Sequence, residues 1–220
     1  MYLQGDIHDI IKTIETDSID LIYTNPPFGT TKCKWDIPLR WNDLWNDIWR
    51  IMKPKGIVVL HSAMPFTYQL IQSQLPKYHY TLIKNNSTGF FHAKHQPLRN
   101  TEEVLIFYKK PGTYNPQMMG NDIIINKRSY FNNGNEYYGK SKTKFKEKTQ
   151  VGRYPNTALP MKICVRSGKT IPDSIIEYFI KTYSNENDTV LDMTTHNKVV
   201  GNIVTKLNRK FIGVDLLEIK

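Results

Sequence analysis

Only two of the 220 residues are cysteine, Cys33 and Cys164. That is too few for a disulfide framework or, alone, for a structural zinc site. No apolar run approaches the ~20 residues that cross a bilayer, and the opening MYLQGDIHDI has no basic region leading into an apolar stretch. Acidic residues are in short supply, with 20 Asp and Glu against 30 Lys and Arg and a formal charge of +10. These shortages argue against a disulfide-stapled secreted domain and a helical membrane protein. The expectation is an intracellular chain, cytoplasmic or associated with a nucleoid or virus, with no membrane partner. What is present, 40% hydrophobic and 12% aromatic residues, suits one α/β domain with a full core but not two large domains.

The positive surplus is concentrated. Between Lys127 and Lys169 stand eleven basic residues, among them Lys127, Arg128, Lys140, Lys142, Lys144, Lys146, Lys148 and Arg153, opposed only by Glu136 and Glu147. This stretch therefore carries +9 of the +10. Tyr130, Phe131, Tyr137, Tyr138, Phe145 and Tyr154 interleave with the charges. Positive charge laced with aromatic faces suits a polyanion that offers π-surfaces, which is nucleic acid. A merely solvated loop is the competing reading of a charge run; the position between two ordered blocks favours binding.

Apolar periodicity marks those blocks. Asp20–Asn25 reads as a strand that must stop at Pro26-Pro27, because a central strand cannot continue through two prolines. Trp41, Leu44, Trp45, Ile48, Trp49 and Met52 recur at helical spacing, so their tryptophans belong to a core face. Lys53–Gly56 is expected to end that helix, and Ile57–His61 to form the next strand. Phe66–Gln74 reads as a helix and Glu103–Lys109 as a strand. Beyond the basic stretch, Asp173 is expected to cap a helix through Tyr183. Strand Val190–Met193, helix Val199–Leu207 and strand Phe211–Asp215 follow. Strands alternating with helices predict an α/β fold, a doubly wound, mostly parallel sheet with a basic recognition insert. The expected divisions are residues 1–110, 111–168 for the insert, and 169–220.

The sharpest local signal is Thr24-Asn25-Pro26-Pro27-Phe28-Gly29 at a strand's carboxyl end, where open α/β sheets bind ligands. The prolines stiffen the turn and donate no N–H, leaving carbonyls for the space beyond the strand. The Asn25 carboxamide oxygen and the Pro26 carbonyl could together accept both hydrogens of an exocyclic amine, with Phe28 as a stacking face.

NPPF resembles the (D/N)PP(Y/F) motif of the S-adenosylmethionine-dependent amino-methyltransferases of DNA. IDLIYTNPPFGTTKCKWD, STGFFHAKHQPLRNTEEVLIFY, IIEYFIKTYS, VLDM and LNRKFIGVDL are similar to successive regions of that family, in the order of its β class. The resemblance implies a Rossmann-like methyltransferase fold, in two halves around a variable target-recognition insert. It implies S-adenosylmethionine as cofactor, no metal, DNA as partner, and a base flipped from the stack to present adenine N6 or cytosine N4. Asn25, Pro26, Pro27 and Phe28 would be catalytic. Asp6, Asp192, Thr194, Gly201 and Asp215 would bind the cofactor, with Asp215 on the ribose hydroxyls and Asp192 toward the methionine part. Neither cysteine follows a proline, which argues against a C5-cytosine mechanism through a Pro-Cys nucleophile.

Two cofactor segments depart from the pattern. After Asp192 the family carries a segment like PFxGSGTTG, whereas this chain reads Met193-Thr194-Thr195-His196-Asn197-Lys198-Val199-Val200-Gly201. His196 and Lys198 stand where glycines let backbone approach a ligand. Where the family resembles HPTQKP, the chain reads Ser167-Gly168-Lys169-Thr170-Ile171-Pro172. Two functions follow from the resemblance. One is an active DNA amino-methyltransferase of the N6-adenine type. The other is a catalytically impaired relative serving as a DNA-binding module or partner subunit. The implied assemblies are a homodimer or a complex with an active methyltransferase subunit.

Overall fold

A computed structural model describes residues 1–88, 93–126, 148–161 and 171–217. The first strand, β1 (Tyr2–Gln4), leads into α1 (Ile7–Thr13), β2 (Ile19–Thr24), α2 (Trp41–Ile51), β3 (Met52–Ser62) and α3 (Phe66–Ser73). Then come β4 (Tyr78–Thr88), β5 (Arg99–Phe107), β6 (Met119–Asn126), β7 (Lys148–Arg153) and β8 (Ala158–Met161). The chain closes with α4 (Asp173–Tyr183), β9 (Thr189–Asp192), α5 (Val199–Lys206) and β10 (Lys210–Asp215). No helix among the described residues is long and apolar enough to cross a membrane.

Eight strands form one sheet in the order β1-β10-β9-β2-β3-β5-β4-β8. Neighbours from β1 to β3 run parallel, β5 runs antiparallel to β3 and to β4, and β8 is parallel to β4. Both faces are covered, which is why β2 is buried along nearly its whole length instead of alternating. On one face Ile7, Ile11, Trp41, Trp45, Ile48, Phe66 and Leu70 of α1, α2 and α3 pack on Ile22, Val58, Leu60, Leu191 and Val214. On the other, Ile175, Phe179, Ile203 and Val204 of α4 and α5 pack on Leu21, Tyr23, Val59, Val190 and Phe211.

The doubly wound, mostly parallel sheet is therefore present. Two local expectations change. Lys53–Gly56 lies inside β3 instead of ending a helix, and the pairing with β2 shifts register there, from Ile19↔Met52 to Leu21↔Ile57. The bulge absorbs Pro54, which a regular ladder cannot accommodate. Asp173 does not cap α4 either. Pro172 holds the cap position with no side-chain bond, and Asp173 is the first helical residue.

The chain divides into two compact units, residues 1–115 with 157–220, and residues 116–156. The second falls within the 111–168 span expected for the insert. It contains β6 and β7, paired antiparallel from Met119↔Arg153 to Asn126↔Lys148.

Candidate active site

The sheet places its switch point between β9 and β2. From β9 the chain crosses through α5 to β10 on one side; from β2 it crosses through α2 to β3 on the other, and the two helices cover opposite faces. The connections diverge there, so a crevice opens beyond the carboxyl ends of these two strands. Asp192 ends β9, and Asn25 follows directly on β2. Asp215 ends β10 beside them, and Asp6 follows β1, whose Gln4 pairs with Asp215. Four residues far apart in sequence thus share one edge of the sheet.

Polar side chains stitch this edge together. Thr24 Oγ1 donates to Asp192 Oδ1 at 3.0 Å and accepts from Met193 N at 2.7 Å. Thr194 N donates to the same Asp192 oxygen at 3.2 Å, and Thr194 Oγ1 reaches the Asn25 carbonyl at 3.4 Å. Asp192 is buried, and burial pushes its carboxyl up to about 6, with the nearby Asp215 adding to the rise and the threonine hydrogen bonds holding it back. No ion pair reaches Asp192 among the described residues. Among the described residues neither Asp192 nor Asp215 is in an ion pair, which suits a positively charged ligand.

Asp6 and Asp215 are half-buried. Asp6 caps α1, accepting from His8 N at 2.9 Å and meeting His8 Nδ1 at 2.7 Å, contacts that hold its carboxyl below the usual range. Asp215 accepts from Leu217 N at 2.8 Å. Gly201 is buried in the first turn of α5. A Cβ there would run into the Tyr2 hydroxyl and come within 2.8 Å of Phe211 Cδ1, so its small size serves helix–sheet packing. His196, Asn197 and Lys198 are exposed, and no residue from 193 to 201 has a positive φ. The path of the loop therefore needs no backbone conformation reserved for glycine.

The turn after β2 is half-open. Pro26 is buried, while Asn25, Pro27 and Phe28 are half-buried, so Asn25 is not sealed in the core. One face of the Phe28 ring stacks on Phe66, with centroids 5.2 Å apart and planes 18° off parallel. Asp36 holds the outer side of the turn. Its buried carboxylate accepts from Gly29 N at 2.8 Å and Thr31 N at 2.7 Å. Burial raises the Asp36 carboxyl, but hydrogen bonds from Thr31, Gly29 and Thr30 outweigh that and bring it below the usual range. Gly29 has φ +67°, and Pro38 Cγ stands 2.5 Å from where its Cβ would be, so only glycine fits. Phe66 and Asp36 were not among the residues singled out by sequence. The WD pair inside the quoted NPPF segment was the available hint for Asp36, whereas nothing local pointed to Phe66.

Beneath the turn, Tyr23 Oη and His61 Nε2 lie 2.8 Å apart. Burial pulls the His61 imidazole down to about 3 and raises the Tyr23 phenol, so both stay neutral at physiological pH. A separate groove of about 430 Å³ lies at the amino ends of β2, β3 and β9, lined in part by Asp20, Lys53, Asn185 and Asp188. Its polar groups mostly bond to one another, Asp20 to Lys53 Nζ and Thr189 N, and Asp188 to Asn185 N. The expectations for Lys127, Arg128, Lys140, Lys142, Lys144 and Lys146, and for the Lys148 side chain, lie outside the described residues. Ser167–Thr170 lies outside them too. Arg153 is exposed at the end of β7.

The chain is similar to known proteins. The chain is 24% identical over 218 residues to the type II methyltransferase M.HpaI of Haemophilus parainfluenzae, covering 94% of this chain and 67% of that one. It is 24% identical to the type II methyltransferase M1.MboII of Moraxella bovis, covering 97% and 90%. Among solved structures, the cytosine-N4-specific PvuII DNA methyltransferase superposes with a TM-score of 0.67 at 14% identity, covering 98% of this chain and 81% of that one. M1.HpyAVI, in its complex with S-adenosylmethionine, gives 0.60 at 19% identity, covering 99% and 93%. The profile of the N6/N4 methyltransferases, described as DNA methylase, matches residues 19–219. Nearly the whole described sheet falls within that match, and the chain belongs to this family of DNA methylases.

Proposed function

We propose that the protein is a DNA amino-methyltransferase acting on a base flipped from the duplex, with adenine N6 as its target amine. The observation that carries this reading is the joining of the two turns at the switch point, by Thr24 Oγ1 to Asp192 and by Thr194 Oγ1 to the Asn25 carbonyl. An aromatic amine is a poor nucleophile because its lone pair is delocalised into the ring. In this reading the Asn25 carboxamide oxygen and the Pro26 carbonyl accept its two hydrogens and favour a pyramidal nitrogen with a localised lone pair. Phe28, backed by Phe66, stacks on the base and fixes its plane. Catalysis is then chiefly positioning and electrostatic stabilisation.

S-adenosylmethionine, when bound, supplies a methyl group activated by its sulfonium. Asp192 would face its cationic methionine part and Asp215 its ribose hydroxyls, with Asp6 and Thr194 at the margins; the buried Asp192, raised by burial and in no ion pair among the described residues, fits such a ligand. The basic residues Lys127, Arg128, Lys140, Lys142, Lys144, Lys146, Lys148 and Arg153 would track the phosphates. An intracellular setting follows from a DNA substrate.

A second reading, a catalytically impaired DNA-binding module or partner subunit, is favoured by one observation. His196 and Lys198 stand where the family has glycine, and Lys198 brings positive charge toward a cationic ligand. Incubation with methyl-labelled S-adenosylmethionine and duplex genomic DNA, followed by analysis of the nucleosides, separates the two. Labelled N6-methyl-2′-deoxyadenosine is expected. Labelled N4-methyl-2′-deoxycytidine would correct the base. No label, together with no thermal shift at millimolar S-adenosylmethionine, would establish the impaired reading.

A further inference from the structure

Helix α2 buries Trp41 and Trp45, yet Trp35, six residues upstream, is 66% exposed and its neighbour Ile37 is 70% exposed. Large apolar side chains left bare beside a site mark an interaction surface. Trp35 and Ile37 flank Asp36, whose side chain is turned inward and spent on Gly29 N and Thr31 N. A turn closed by Asp36 N on the Cys33 carbonyl at 3.0 Å stiffens the segment. Pro38 against Gly29 then locks it to the NPPF turn. The result is a short rigid projection that carries Lys32, Lys34, Trp35 and Ile37 into solvent, rooted directly on the residues expected to hold the base. Its one carboxylate is buried, so its outer surface is positive.

We infer that Lys32–Ile37 is a DNA wedge, in which Trp35 enters the gap left in the duplex by the flipped base while Lys32 and Lys34 bind the flanking phosphates. This rests on the reading of the protein as a base-flipping DNA enzyme. Apolar side chains that enter base steps and cationic side chains that neutralise phosphates are the two components such a device requires. Rigidity matters as well, because a mobile tryptophan would lose its stacking free energy to ordering. The wedge and the basic insert divide the work: the insert supplies most of the charge, while the wedge acts at the target step.

The test compares a duplex containing one abasic site, where the gap is already made, with the intact duplex of the same sequence. The wild-type protein is expected to prefer the abasic duplex by roughly tenfold, the scale of one base–aromatic stack. Trp35→Ala should reduce that preference to within about twofold, and Trp35→Phe should keep most of it. Lys32→Gln with Lys34→Gln should weaken both duplexes alike and lower the salt slope by about 2. In the unmodified protein, either duplex should slow alkylation of exposed Cys33, followed by mass spectrometry of its peptide. Equal wild-type affinity for the two duplexes, retention of the preference by Trp35→Ala, or unchanged Cys33 alkylation would overturn the wedge while leaving a DNA enzyme intact. A wild-type protein that binds neither duplex overturns the DNA reading along with it.

Discussion

Two turns meet at the switch point, and they are held in opposite ways. The turn after β2 is clamped from outside: Asp36 binds two of its amides, Pro38 fills the space beside Gly29, and Phe66 backs Phe28. The turn after β9 is pinned at its two ends. Asp192 collects Thr24 and Thr194, Thr195 N donates to the Val214 carbonyl at 2.8 Å, and Gly201 sits against Tyr2 and Phe211. Between those pins His196, Asn197 and Lys198 face solvent. The contrast teaches where a sequence may drift. The side chains of His196 and Lys198 face solvent, so these positions can lose glycine at little structural cost, whereas Asn25, Phe28 and Gly29 are each tied to residues outside the NPPF turn.

The largest effect is expected in the clamped turn. Asn25→Ala removes one of the two acceptors for the amine and should lower labelled-methyl transfer by on the order of 10²–10³. Because Asn25 is only half-buried, the melting temperature should barely change. Equal activity in this variant would break the assignment of the turn as the catalytic half.

The pinned turn should respond to pH. The folded Asp192 carboxyl lies at about 6, above the ~3.9 of an unfolded aspartate. The folded state therefore holds its proton more tightly. Stability should fall as pH rises from about 4 and reach its lower plateau above about 6, a loss on the order of 3 kcal/mol. Asp192→Asn should flatten this decline in urea titrations run across that window. A cation bound at Asp192 favours the ionised form, so S-adenosylmethionine should raise the melting temperature more at pH 8 than at pH 5. A pH-independent shift would separate Asp192 from the ligand.

Gly201→Ala is expected to cost about 2 kcal/mol through overpacking against Tyr2 and Phe211. If cofactor affinity, measured under conditions where the variant is folded, drops far more than stability does, Gly201 faces ligand as well as core. The smallest change comes from the exposed tip. His196→Gly with Lys198→Gly should tighten S-adenosylmethionine binding by about fivefold in calorimetry, roughly the value of relieving one like charge at close range in water. Weaker binding would mean that the two turns differ less in function than in anchoring.

Much of this was legible in the chain. Pro26-Pro27 must end a strand, and the 3–4 spacing of Trp41, Leu44, Trp45 and Ile48 must bury one helical face; both follow from local sterics and periodicity. The short elements β1 and α1 went unread because three and seven residues give too little periodicity. Lys53–Gly56 looked like a helix stop because Pro and Gly usually are one, and only pairing with β2 turned it into a bulged strand. At the site, strand-end aspartates could be named but not grouped. Asp6 and Asp192 are 186 residues apart in sequence, and parallel pairing alone brings their strands to a common edge.

Local sequence dictates that a strand stops at Asn25, that amphipathic helices alternate with apolar strands, and that positive charge collects in one stretch. Those properties depend on neighbours a few residues away. Long-range assembly set the hydrogen bonds of Thr24 to Asp192 and of Thr194 to the Asn25 carbonyl, pushed the Asp192 carboxyl up, and left Trp35 outside while Trp41 and Trp45 went in. Desolvation and long-range pairing set these outcomes, and neither is a property of any local segment.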